Sequence, residues 1–189
     1  MEAGSVDAYL ARLGEWAGAE PESMLITPDE VSPPVRAFAY RGQFGEDTIS
    51  GFTFGLSSVA HPDWEFGRPE LFISMNSPRP DWVFAAGFVA AHYRGEKRFA
   101  AGDAFVLDAP ISPEESDMSA LLAFLVTDLD PEFTHLELPD RTINLIQLYP
   151  LHASEIPLLE AEGGAALLSA TDVDFHDPAR PPLSGPARR

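Results

Sequence analysis

The sequence has no cysteine, which excludes disulfide bonds, thiolate nucleophiles and cysteine-ligated zinc sites. Basic residues are also scarce, because 12 Lys and Arg stand against 30 Asp and Glu, and the net charge is −18. Nucleic acids and anionic membranes are bound through Lys and Arg contacts to phosphate, so this charge argues against both as partners. It favours a basic protein partner and speeds encounter with one, although acidity can also serve solubility alone.

The chain also lacks a long hydrophobic run. Its most apolar segment, residues 82–93, is 12 residues long, whereas a membrane-spanning helix needs about 20. Glu2 and Asp7 stand where a secretory signal would carry positive charge followed by an apolar stretch. We therefore expect a soluble, cytoplasmic protein.

The chain is long enough to fold around a core without a metal ion. A domain of 189 residues buries roughly 70% of its unfolded surface. Proline, present 18 times, stands mostly between apolar segments as a breaker. We predict an N-terminal helix and a proline-rich connector (1–34), a folded domain (35–171), and a flexible tail (172–189) that contains Arg180, Arg188 and Arg189.

Apolar residues alternate with small or polar ones in several segments, which predicts β-strands. These segments are residues 38–40, 49–56, 70–76, 103–107 and 142–149. Residues 120–126 are apolar on both faces, which is typical of a central strand. The alternation places two sets of side chains on common faces: Phe52, Phe54 and Leu56, and Leu71, Ile73 and Met75.

Three helices are predicted from apolar periodicity and capping residues. The first covers residues 5–17 behind Ser5, and the second covers 82–93 behind Asp81 and should lie deep against a sheet because nearly every position is apolar. The third starts at Ser154 and is interrupted at Gly163 and Gly164. Because strands and helices do not alternate regularly, we predict an α/β (α+β) fold in which helices flank a mixed β-sheet.

Motifs for nucleotide, metal and nucleophilic chemistry are not present. Neither G-x-x-x-x-G-K-[ST] nor G-x-G-x-x-G occurs, and the segment around Ser57 lacks the second glycine of a nucleophile elbow, so we interpret Ser57 as a turn residue. No H-E-x-x-H pair is found, and we predict no metal ion and no cofactor. We interpret the five histidines as surface or structural residues, with His92 at the core or its boundary: His61, His92, His135, His152 and His176.

Acidic residues cluster beside proline and glycine, which is typical of solvated loops. Such clusters can also dock a basic partner, and paired carboxylates can catalyse acid–base chemistry. A small hydrolase built on His152, Glu155 and a further acid therefore stays open as an alternative. The clusters are Asp29/Glu30, Glu46/Asp47, Asp63/Glu65, Glu114/Glu115/Asp117 and Asp128/Asp130/Glu132.

Several segments, in order from about residue 38 to residue 170, together resemble the Suppressor of fused (SUFU) domain family. They include a Phe-Gly-Leu-Ser motif, a Glu-Leu-x-x strand, a helix that begins with Trp and closes with Tyr, and a Gly-Asp pair that opens the next strand. The matching residues are Phe54–Ser57, Glu70–Ile73, Trp82–Tyr93, Gly102-Asp103, Asp130-Pro131, Ile146-Gln147 and Ser154–Ile156.

This resemblance implies a SUFU-like single domain that binds protein and is not an enzyme. The animal member grips a short extended peptide between two domains, partly as an added strand, and only the N-terminal type of domain is expected here. Family positions that contact the partner correspond to Tyr93 and Asp103, although the loop of residues 94–101 is shorter. The resemblance further implies a bacterial immunity protein that neutralises a toxin, with an intracellular adaptor as the alternative.

Overall fold

One mixed β-sheet organises the computed structural model, which describes residues 3–28, 32–169 and 173–183. Within these residues the strand order is β1-β2-β3-β4-β8-β6-β5, and β7 pairs with β8 beside this path. Strands β4 and β8 are parallel, and the other pairs are antiparallel. The strands are β1 (Glu22–Ile26), β2 (Val35–Arg41), β3 (Ile49–Phe54), β4 (Arg68–Met75), β5 (Ala104–Val106), β6 (Ala120–Phe124), β7 (His135–Glu137) and β8 (Thr142–Leu151).

Helices cover both faces of the sheet, which confirms the predicted fold class. Helix α2 (Asp81–Tyr93) packs on one face over β1 to β4. Helix α1 (Ala3–Ala17) packs on the other face through Tyr9 and Leu13. The short helices α3 (Ile156–Glu162) and α4 (Gly164–Leu168) cover the β6–β8 part of that second face.

Period-2 alternation divides the core as strand geometry requires. Leu71, Ile73 and Met75 of β4 face α2 together, as predicted, while Phe72 between them faces α1. Both faces of β6 are covered, but this strand lies beside the edge strand β5 and not at the centre of the sheet. The central positions belong to β4 and β8, whose parallel pairing joins the two halves of the sheet.

A glycine sets how closely α2 approaches the sheet. Gly51 of β3 lies under Val83, and a Cβ atom at residue 51 would stand 2.6 Å from a Val83 methyl carbon. A distance that short is far inside van der Waals contact, so a larger residue would push the helix away. The small side chains in β2 and α2 therefore have a packing role: they let an apolar helix lie close to the strands.

Several local predictions were wrong in detail. Strand β1 lies inside the predicted connector of residues 21–34, where flanking prolines hid a short strand whose Leu25 is exposed. Ser5 does not cap α1; it lies within the helix and donates a hydrogen bond of 2.6 Å to Asp140. Leu56 leaves the β3 pattern and packs on the α2 side, opposite Phe52 and Phe54.

Helix starts also differ from the predicted caps. Asp81 is the first residue of α2, where Pro80 is the N-cap and no side chain forms a capping hydrogen bond. Ser154 lies in a 3₁₀ turn (Ala153–Glu155) that is closed by a capping box between His152 and Glu155. Pro157 falls in the first turn of α3, and the break at Gly163 separates α3 from α4, both as predicted.

The C-terminal segment differs from the predicted flexible tail. Residues 173–183 pack on the fold through Arg180, which is 4% exposed. Its two terminal nitrogens donate to Glu155 Oε1 at 2.6 Å and Oε2 at 2.7 Å, and its guanidinium lies 4.9 Å from the Phe175 ring centre. Arg188 and Arg189 lie outside the described residues, so the expectation of a flexible tail stays a prediction for them.

This buried pair predicts a pH-dependent contribution to stability. Burial alone would raise the pKa of Glu155, but hydrogen bonds from Arg180 and from the Leu183 and His152 N–H groups outweigh it and lower the pKa from 4.5. We expect Glu155→Gln to lower the free energy of unfolding by about 3 kcal/mol at pH 7, because it leaves a buried guanidinium without its counter-charge.

The sign of the pH effect follows from the lowered pKa. Stabilisation is complete above the unfolded-state pKa and is lost as pH falls through the folded-state value, so the deficit of Glu155→Gln should shrink in acid. Urea unfolding at pH 7 and pH 3 checks this. The control Glu15→Gln removes an exposed ion pair with Arg12 and should cost less than about 1 kcal/mol. Equal effects of the two substitutions would contradict the prediction.

Candidate functional site

A cleft of about 390 Å³ lies between α2 and the segment of residues 106–111. The Tyr93 ring centre lies 5.3 Å from that of Phe105 at one end, and the Ser112 hydroxyl donates to Asp81 at 3.2 Å at the other end. The two walls therefore run antiparallel. The lining residues are Asp81, Phe84, Ala85, Phe88, His92, Tyr93 and Val106–Ile111.

Large apolar side chains are exposed along this cleft. Phe84 is 50% exposed, Phe88 is 39% exposed, and Val106 on the opposite wall is 54% exposed. Phe84 and Phe88 are four residues apart and so lie on one face of α2. The other side of α2 lies deep against the sheet, as expected, but this face lies at the surface, which the nearly continuous apolar sequence did not predict.

Phe84 and Phe88 form an aromatic ridge along α2, and a second groove of about 400 Å³ runs along its other side. Leu25, Ile26, Thr27 and Pro28 form its outer wall, and α2 forms its inner wall. Leu25 is 58% exposed. The Phe84–Phe88 ridge thus separates two apolar depressions, one toward β1 and one toward β5.

Strand β5 offers hydrogen-bonding groups at the edge of the sheet. The Asp103 carbonyl accepts from the Ala123 N–H, and the Leu107 N–H donates to the Ser119 carbonyl, so odd-numbered residues in this stretch face β6. Because main-chain groups alternate along a strand, those of Ala104 and Val106 point away from β6. This edge borders the cleft at Val106.

Tyr93, the first of the two predicted partner-binding residues, closes α2 and lines the cleft. Its ring is half-buried and packs against Phe105, and the His92 ring meets it edge-on at 5.0 Å. His92 itself is exposed and stacks on Phe88 at 5.4 Å, so it lies at the surface and not, as expected, in the core or at its boundary. Tyr93 therefore combines a packing role with a surface at the end of the cleft.

Asp103, the second predicted residue, does not line this cleft. Its carboxylate accepts from the Ala100 N–H at 2.9 Å and pairs with Arg98 at 3.2 Å. Both contacts lie in its own loop, where Phe99 takes a left-handed conformation (φ 55°) and stacks on Phe105. Tyr93 and Phe99 thus both contact Phe105, and Asp103 holds the loop that carries Phe99.

Ser57 belongs to a buried polar cluster around Glu70. Its hydroxyl donates to Glu70 Oε1 at 2.7 Å, and the Gly55 and Ser57 N–H groups donate to the same oxygen at 2.8 and 3.0 Å. Thr53 donates to the other carboxylate oxygen at 2.7 Å. Gly55 has φ 132°, a conformation that favours glycine. The Phe-Gly-Leu-Ser motif is therefore a tight turn held by a buried carboxylate, as the interpretation of Ser57 requires.

His152 and Glu155, the basis of the hydrolase alternative, also serve structure. Glu155 is fully buried and accepts four hydrogen bonds, two from Arg180 and one each from the His152 and Leu183 N–H groups. A carboxylate with its acceptor sites filled cannot readily exchange protons with a substrate. His152 is bonded to Asp117 at 2.7 Å and to the Arg180 carbonyl at 3.0 Å.

One residue in each of two acidic clusters is tied into the fold, while the remaining members, Glu114, Asp117, Asp130 and Glu132, are exposed as expected of solvated loops. Glu115 accepts from Ser77 at 2.7 Å and from the Trp82 indole N–H at 2.6 Å. Asp128 accepts from Gln147 at 2.5 Å. Asp29 and Glu30 lie outside the described residues. Among the described residues, no three His, Asp or Glu are grouped so that they could hold a metal ion, and no helix is long and apolar enough to cross a membrane.

The Glu70 cluster makes a prediction about pH. Burial, the largest cause, raises the pKa of Glu70 above 4.5, although hydrogen bonds from Ser57, Thr53 and the Gly55 N–H oppose it. The folded state then holds its proton to a higher pH than the unfolded state does, so wild-type stability falls as pH rises from about 4.5 through the raised value.

Glu70→Gln removes this ionisation because it replaces the carboxyl group with an amide of about the same size. Relative to wild type, its free energy of unfolding should rise with pH over that interval, by at most about 1.4 kcal/mol per pH unit. Urea unfolding at a series of pH values measures the difference. Ser50→Ala, which deletes a buried hydroxyl that contacts Ser74 and not Glu70, is the control and should give a nearly constant difference. A constant difference for Glu70→Gln as well would refute the prediction.

Known proteins share both the sequence pattern and the fold of this chain. The sequence pattern of the family Suppressor of fused protein (SUFU) matches residues 34–181. No curated protein matches the chain. A Neisseria gonorrhoeae protein assigned as a SUFU homologue has a similar structure, with a TM-score of 0.77 and 16% identity over 97% of this chain and 98% of that one.

Two further structures share the fold. Drosophila Suppressor of Fused gives a TM-score of 0.67 and 14% identity over 94% of this chain and 50% of that one, so this chain spans half of the Drosophila chain. A chain of the Sufu–Fu complex gives 0.67 and 13% over 93% of this chain and 86% of that one. The family pattern covers most of the sequence, and the matched residues include the turn at Ser57 and the buried Arg180. The chain therefore belongs to the SUFU family.

Proposed function

We propose that this chain is a non-enzymatic, cytoplasmic protein-binding module, and that it serves as an immunity protein which neutralises a cognate toxin by direct binding. Membership of the SUFU family supports protein binding, since a member of this fold is seen in the Sufu–Fu complex. The immunity role is the one that the SUFU resemblance implies for bacterial single-domain members. The observation that carries the proposal is the exposed aromatic cleft between α2 and the segment of residues 106–111.

The cleft has the features of a recognition surface for protein. Phe84, Phe88 and Val106 are exposed together, whereas isolated exposed apolar residues are ordinary on protein surfaces. The outward main-chain groups of Ala104 and Val106 can pair with an extended segment of a partner. Aromatic anchors beside a free strand edge supply both affinity and alignment for such a segment.

Tyr93 and Asp103 take part in this proposal in different ways. Tyr93 would contact the partner directly, since its ring forms one end of the cleft. Asp103 would act chiefly by fixing the loop that holds Phe99 against Phe105, with 19% of its side chain left exposed. Charge reversal at Asp103 should therefore lower the melting temperature as well as binding, because it removes the acceptor of the Ala100 N–H.

An intracellular adaptor that uses the same cleft is the alternative function, and it differs in the nature of the partner. The acidic composition, with a net charge of −18, favours a basic partner and speeds its association in either case. A toxic nuclease domain is one such partner. A non-toxic partner, bound through the same residues, would identify an adaptor.

Co-expression with a toxin encoded beside the gene tests the proposal. Wild type should co-purify with the toxin and restore growth, and Phe84→Ser should weaken binding at least tenfold because it deletes an anchor of the cleft. Phe44→Ser is the matched control, since Phe44 is 46% exposed and lies outside the cleft. Failure of wild type to bind or protect would reject the immunity role, and equal loss in both variants would reject the cleft.

Tyr93→Phe and Asp103→Asn separate binding from folding at the two predicted residues. Tyr93→Phe keeps the ring that packs on Phe105, and Asp103→Asn keeps an acceptor for the Ala100 N–H while it removes the charge. We expect melting temperatures within a few degrees of wild type and a several-fold weaker partner affinity for each. Calorimetric binding measurements check this; unchanged affinity in both variants would leave the two residues with a structural role only.

A further inference from the structure

The lining of the cleft between α2 and the segment of residues 106–111 carries two carboxylates and no Lys or Arg. Asp81 lies at the start of α2, and Asp108 lies in the opposite wall. Arg79 at the rim lies 3.9 Å from Asp81, 3.9 Å from Glu115 and in direct contact with Glu114. Three carboxylates thus share one guanidinium, and Asp108 adds a further negative charge to the cleft.

The chain's densest basic segment follows α2 but adds no side chain to the lining of the cleft. Tyr93 is followed by Arg94, Lys97 and Arg98, against the single acid Glu96. Arg98 pairs with Asp103 at 3.2 Å, and Arg94 donates to the Gly55 and Pro33 carbonyls, so both side chains are held by contacts outside the cleft. The charged groups of the cleft are therefore carboxylates, and the group around Arg79 lies at the start of α2.

The middle of the cleft is apolar and has room for a short extended segment. Helix α2 has 13 residues and is about 20 Å long, which matches about six residues of extended chain. Phe84, Phe88 and Val106 line the cleft between Asp81 at one end and Tyr93 at the other. A bound segment would thus meet an apolar surface first and a cluster of carboxylates beyond it.

We propose, resting on the protein-binding function above, that this cleft takes an extended segment of a partner protein in which an apolar or aromatic residue packs on Phe84, Phe88 and Val106 and a Lys or Arg follows beside the carboxylates of Asp81 and Asp108. The apolar contact supplies most of the affinity, and the charges fix the direction of the segment and raise its rate of association. A second copy of this chain is a poorer occupant, because each copy carries a net charge of −18.

A phage-displayed library of random 12-residue peptides tests this inference on the full chain. Selection on wild type, with depletion on Phe84→Ser, should enrich peptides that place Lys or Arg next to an apolar anchor. The best peptide, made synthetically with a fluorescent label, should bind the Asp81→Asn/Asp108→Asn variant about fivefold more weakly at low salt, and 0.5 M NaCl should abolish the difference.

The control variant Glu46→Gln/Asp47→Asn removes the same two charges from exposed positions outside the cleft and should bind the peptide as wild type does. Enriched peptides without a basic residue, or equal binding by the Asp81/Asp108 variant, would overturn the charge inference and leave the protein-binding function standing. No enrichment above the Phe84→Ser background would overturn both. A wild-type dimer in analytical ultracentrifugation that Phe84→Ser dissociates would assign the cleft to a second copy and overturn the inference.

Discussion

The buried carboxylate of Glu70 is the interaction on which the first half of the sheet depends. Its two oxygens accept from Thr53, the Gly55 N–H and both the N–H and hydroxyl of Ser57, all of them neutral donors. These bonds join β4 to the end of β3 and to the turn that follows it. Arg68 and Arg141 both donate to the Ser57 carbonyl, so the turn is also fastened to β4 and to the start of β8. A polar cluster, unlike an apolar contact, tolerates only one arrangement of these elements.

The small residues that bring α2 close to the sheet also shape the aromatic cleft. Gly51 and the alanines of β2 and α2 let the helix bury one side, which includes Trp82, while Phe84 and Phe88 form an exposed ridge on the other side. The helix is thus well anchored although two of its phenylalanines lie in solvent. A rigid support of this kind holds exposed aromatic rings in position, which lowers the entropy that a partner loses on binding.

Periodicity predicted the strands and helices that bury one face in the core. It failed where the position of an element in the sheet decides whether that element is a strand or which of its faces is covered. The alternation of Leu71, Ile73 and Met75 identified β4, and Pro157 with Gly163 marked the last helices correctly. The exposed side of α2 could not be predicted, because a helix apolar on both sides looks the same whether one face or both are covered. Strand β1 was missed because its pairing with β2, not its own composition, makes it a strand.

The site was predicted in part for a related reason. The spacing from Trp82 to Tyr93 identified the helix that forms one wall of the cleft, but the opposite wall comes from residues 106–111, which overlap the predicted strand of residues 103–107 only at its end and carry no pattern that marks a site. Contacts such as Arg180 with Glu155 join positions that no local pattern relates. Sequence periodicity describes a segment by itself, whereas clefts and buried ion pairs belong to two segments at once.

The parallel pairing of β4 with β8 has a consequence for synthesis of the chain. Arg68 pairs with Ile143 and Phe72 with Gln147. Strand β4 therefore cannot pair with β8 until residues 143–147 have been synthesised and have left the ribosome. Until residues 143–147 are available, the main-chain N–H and C=O groups on that edge of β4 have no partner strand. Contacts this distant in sequence form slowly, and the nascent protein is most open to aggregation or to chaperone capture during that wait.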